Sequence, residues 1–84
     1  MIDIDSIREL ATAYRYEQKL TGGVVLVFED EVYGWKNALR DPGHEQPGSL
    51  AIDNEGWVFI AEGGSEYEGA FVWALHPQHL IKPV

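Results

Sequence analysis

Apolar residues fall at helical spacing once in this chain, near its start. Ile7, Leu10, Ala11 and Tyr14 follow the i, i+3, i+4, i+7 rule of an amphipathic helix. Gly22-Gly23 closes that pattern. From Val24 onward apolar side chains run continuously or alternate with a period of two, as they do in strands. One helix followed only by strands predicts an α+β fold: one N-terminal helix packed on a four- to five-stranded antiparallel sheet. Eighty-four residues suit one domain, residues 1–84, with no repeat and no internal linker.

The helix is expected to run to Leu20. Ser6-Ile7-Arg8-Glu9 has the form of a capping box, and Asp3 and Asp5 lie where the helix dipole favours negative charge. Arg8, Thr12, Arg15 and Lys19 form a second stripe, read as a basic solvent face. Val24–Phe28 is a β-branched run, Glu29-Asp30-Glu31 a turn, and Val32–Trp35 the returning strand, in which Gly34 weakens the pairing or marks a bulge. Residues 41–48 form the longest loop. Ser49–Ile52 and Trp57–Glu62 are predicted to pair across Asp53-Asn54-Glu55-Gly56. Ala70–Leu75 is the last strand before His76-Pro77, and His79–Ile81 reads as a short edge strand or a helical turn.

Three of these strands are apolar on both sides. Trp57, Phe59 and Ala61 oppose Val58 and Ile60; Phe71, Trp73 and Leu75 oppose Val72 and Ala74; Val24, Leu26 and Phe28 oppose Val25 and Val27. One helix of about four turns shields only one face of such a sheet. The second face must be closed by the loop at 36–48, by curling of the sheet, or by another molecule, either a second copy or a foreign partner.

Charge narrows the function classes. Fourteen acids against six bases give a net charge of −8, and no lysine or arginine occurs from Asp41 to Ile81. That stretch holds seven carboxylates interleaved with Trp57, Phe59, Tyr67, Phe71 and Trp73. Such a surface repels phosphate, which argues against direct nucleic-acid binding and against an anionic membrane, and favours a protein partner with a basic surface. The acidic N-terminus and the lack of any long apolar run argue against a signal peptide or a spanning helix. Without cysteine there are no disulfides, as suits a reducing cytoplasm.

No catalytic pattern stands out, so the chain is read as a non-enzyme without a cofactor. The phosphate-binding glycine motifs are absent. His76 and His79 have a zinc-like spacing, but Pro77 intervenes and a third ligand must come from afar, so no metal site is assigned. Asp53-Asn54-Glu55-Gly56 lacks the twelve-residue calcium loop. The carboxylates Glu62, Glu66 and Glu68 lack a sugar-sized cleft in so short a chain. The candidate partner-binding residues are the ribbon acids Glu29, Asp30 and Glu31, then Glu62, Glu66, Tyr67 and Glu68, with Trp35 and Trp73 as an aromatic centre.

A short, cysteine-free, strongly acidic α+β chain resembles the small anti-CRISPR inhibitor proteins of bacteriophages, in particular those acting on type I, above all type I-E, surveillance complexes. The likeness covers size, charge and character over the whole chain and includes no motif, so no residue role is carried over. It implies a non-enzymatic phage protein in the host bacterial cytoplasm that binds a Cas surveillance complex and blocks interference. Two routes are open: carboxylates standing in for DNA phosphates, or docking elsewhere that blocks nuclease recruitment. The mixed-charge helix favours the second. The same acids around aromatics also suit an immunity or antitoxin-like protein capping a basic nuclease or toxin, or an accessory protein that self-associates as a homodimer.

Overall fold

The computed structural model describes residues 4–76. The expectation for His79–Ile81 and the capping role of Asp3 lie outside the described residues. The fold is α+β: helix α1 (Ile4–Gln18) packs on a five-stranded antiparallel sheet. Its strands are β1 (Val24–Phe28), β2 (Glu31–Lys36), β3 (Leu50–Asp53), β4 (Val58–Glu62) and β5 (Val72–Leu75), in the spatial order β2-β1-β3-β4-β5.

The ends of α1 differ from the sequence reading. The helix already includes Ile4, so Ser6 lies within its first turn rather than at an N-cap. It stops at Gln18, and Lys19, not a glycine, takes the left-handed position with φ 56°. The Leu20 amide donates to the Arg15 carbonyl at 2.9 Å and the Lys19 amide to Tyr16 at 3.3 Å, the two bonds of a Schellman motif. The basic stripe is also corrected. Arg15 donates to the carbonyls of Gly22, Gly23 and Ile52, tying the helix end to the β1 approach and to β3. Arg8 donates to Gly56 O at 2.7 Å across the sheet and pairs with Asp5. Carbonyls left over at turns attract these guanidiniums, so only Lys19 of the stripe's bases is exposed.

β1 lies inside the sheet and its first four residues are buried, as an unbroken β-branched run requires. Glu29 and Asp30 join it to β2 in a two-residue turn with φ 50° and 67°, the positive pair that matches strand twist in tight hairpins. Leu26 opposes Gly34 but Val27 opposes Val32, so Tyr33 is the extra residue of a bulge. Strict alternation would place Val32 and Trp35 on opposite faces. The bulge shifts the parity, and both pack on the helix-side core.

That core joins Ile7 and Ala11 of α1 to Val25, Val27, Ile52 and Val58. Full burial of each valine or isoleucine side chain among these contributes about 1.5–3 kcal/mol. The second face carries Val24, Leu26 and Ala51, with Leu39, Phe59 and Trp73 against them. The long loop closes it here. Residues 37–49 cross from β2 to β3 with a 3-10 turn at Pro42–His44 and supply Leu39 to this layer. The Ala70 amide donates to Glu45 O at 2.9 Å and Pro42 O at 3.2 Å, fastening the loop to the approach of β5.

Gly69 makes this seal feasible. Its φ is 83°, and a Cβ there would lie 1.9 Å from the carbonyl oxygen of Gly43. Gly69→Ala should therefore lift the loop from the sheet and cost about 2 kcal/mol or more, read as a lower denaturation midpoint. An unchanged midpoint would show that the loop does not depend on this contact. Lys19→Gly should act in the opposite sense, raising stability by about 1 kcal/mol, because glycine carries no Cβ penalty in the left-handed region. A fall in midpoint would count against the helix end described here.

Candidate functional site

Three segments far apart in sequence converge on one face. The first is the β1–β2 hairpin, which brings Phe28, Glu31 and Tyr33. The second is the long loop, with His44, Glu45 and Gln46. The third is the tight loop after β4, with Glu66 and Tyr67. Together they line an open cleft of about 600 Å³.

The floor of the cleft is tied down. Glu45 is only 5% exposed although it carries a charge. Tyr33 Oη donates to its Oε1 at 2.6 Å, and Lys36 Nζ pairs with its Oε2 at 2.5 Å. A buried carboxylate needs this kind of double partner to offset its lost hydration. Ser49, which lines the cleft with it, is 1% exposed. Burial, then the bond to Glu45, pushes the Tyr33 phenol up to about 12, with Ser49 opposing.

The walls are acidic and aromatic. In the tight loop, Ser65 and Gly69 bond each other's backbones, and Ser65 Oγ accepts from the amides of Tyr67 at 3.3 Å and Glu68 at 3.1 Å. The turn holds Tyr67 outward, 91% exposed. Glu31 closes the β1–β2 hairpin opposite Phe28. Among the described residues neither Glu31 nor Glu66 has an ion-pair partner, and no lysine or arginine lines the cleft.

The other residues singled out from sequence lie apart. Glu29 and Asp30 occupy the hairpin tip, and Asp30 borders a shallow surface with Ser6, Glu9 and Leu10 of α1. Glu62 ends β4 opposite Val72, and Glu68 is exposed on the tight loop. Trp35 is half-buried against the helix-side core, its Nε1 donating to Gly22 O at 3.0 Å. Trp73 is half-buried on the other face, its Nε1 donating to Arg40 O at 3.2 Å. The two indoles therefore do not meet in one aromatic centre. The cleft's aromatic surface comes from Phe28, Tyr33 and Tyr67. Tyr33, His44, Glu45 and Ser49 were not signalled as site residues. The one sequence hint was Gly34, whose bulge sets the direction of Tyr33.

The arrangement suits binding of a cation. His44 is exposed, and no group of three metal-ligating side chains occurs among the described residues. No helix among them is long and apolar enough to cross a membrane.

The Tyr33 proton gives a direct check. Because its folded value lies above the unfolded value of about 10, its contribution to stability is complete below pH 10. That contribution is lost as pH rises towards about 12. Ultraviolet titration should show one late phenol ionising near 12, absent from Tyr33→Phe. The parent should also lose more stability than the variant between those pH values. Identical profiles would show that Tyr33 does not hold its proton against Glu45.

Compared with family models, curated proteins and solved structures, the chain matches none, so its own geometry carries the functional reading.

Proposed function

We propose that this chain is a non-enzymatic inhibitor that docks on a basic protein surface through the cleft face. The observation that carries the reading is the pair Glu31 and Glu66, which flank an aromatic cleft without a cationic partner among the described residues. The protein's cations are largely engaged within the chain: Arg8, Arg15, Lys36 and Arg40 all contact carbonyls or carboxylates. An excess of negative charge thus remains at the surface, where a basic partner relieves it. The exposed Tyr67 and half-exposed Tyr33 add the aromatic area typical of interface centres.

The resemblance to phage anti-CRISPR proteins makes a type I Cas surveillance complex the first target to try. With two guanidiniums of the helix stripe tied to carbonyls, the mixed-charge helix no longer separates phosphate mimicry from docking elsewhere.

Purified type I surveillance complex should retain this protein in a pull-down at low salt, with capture falling as salt rises. Charge reversal of Glu31 and Glu66 together should weaken capture by roughly tenfold or more while the folded spectrum is kept, since both are exposed. A gel shift with target DNA then separates competition from docking elsewhere. No retention at low salt rejects this target, and retention unaffected by the double reversal rejects this face.

A further inference from the structure

Resting on that reading of the face, we infer that the cleft is a receptor for a single arginine side chain of the partner. The cleft is a groove with a fixed floor and two chemically matched walls. Its floor is immobilised: Glu45 is buried and held by both Tyr33 and Lys36, so the phenol ring of Tyr33 is set in place before anything binds. Preorganisation of this kind lowers the ordering cost of binding.

Charge selects the occupant. Glu31, Glu45 and Glu66 place three carboxylates on the lining, and Lys36 neutralises Glu45. The remaining two, on opposite segments, face no lysine or arginine among the described residues. An anionic or neutral occupant would leave them uncompensated; a cation complements them.

Shape and chemistry select among cations. Phe28, Tyr33 and Tyr67 line the cleft beside the carboxylates. A guanidinium is planar, stacks on aromatic rings and offers a fork of donors to carboxylates. An ammonium is a compact, strongly hydrated charge that gains less from ring faces. A metal ion requires a tighter ligand set than the described residues provide. The open form of the cleft admits a side chain from a protein surface.

The test uses the intact protein, isotopically labelled, titrated by NMR with N-acetyl-arginine amide. The lysine and citrulline amides serve as probes of charge and shape. Arginine amide should shift the signals of Tyr33, His44, Glu66 and Tyr67 saturably. The lysine amide should bind roughly threefold or more weakly, and neutral, isosteric citrulline should not bind. Glu31→Gln with Glu66→Gln should weaken arginine binding by roughly tenfold, and both positions are exposed, so the fold is retained. The inference is overturned by equal lysine and arginine affinities, by citrulline binding as well as arginine, or by shifts no larger here than at the exposed Asn54-Glu55 turn. Capture of the surveillance complex without a saturable arginine signal would sink this inference and leave the proposed function standing. Arginine binding without capture would do the reverse.

Discussion

One buried carboxylate organises much of this molecule. Glu45 lies in the long loop, and its side chain is held from β2 by Lys36 and Tyr33. Its backbone carbonyl accepts from Ala70, so the same residue joins β2, the loop and the approach to β5. Removing either side-chain partner would leave a charge or an acceptor away from water, which costs far more than an exposed ion pair contributes. The fixed loop covers Val24, Leu26 and Ala51 with Leu39, and completes a core that one helix cannot. The floor of the cleft is a by-product of that closure.

The scarcity of bases shapes the surface in the same way. Arg15 binds three carbonyls, Arg8 reaches Gly56, and Lys36 serves Glu45. These cations sit where turns and a buried acid need donors, so few are left to neutralise Glu31, Glu66 and their neighbours. The architecture and the acidic face therefore have a common cause: structural demand draws the positive charge inward and leaves the negative charge outside.

Much of the fold was legible because it depends on local pattern. The helix stripe, the β-branched run at Val24–Phe28 and the turn at Asp53–Gly56 are dictated by periodicity and turn chemistry that act over a few residues. Asp53 Oδ1 accepts from the amides of Glu55 and Trp57, each at 2.9 Å, a bond set that the Asp-Asn-Glu-Gly order favours. The helix ends were less legible. Lys19 reaches the left-handed region because Arg15 and its carbonyl partners hold the next residues, a condition no propensity scale contains.

The sequence by itself determined the α+β class, the chain order of the helix and the main strands, and the excess of carboxylates in the C-terminal half. Only the tertiary structure decided which acids share a site. Glu31 and Glu66 line one cleft because the sheet order sets β2 and the loop after β4 on either side of the covering loop. It also decided that Trp35 and Trp73 serve opposite faces, since the bulge at Tyr33 shifts the parity of β2. Long-range register and loop closure are set by packing between distant segments, and a linear pattern carries no record of those distances.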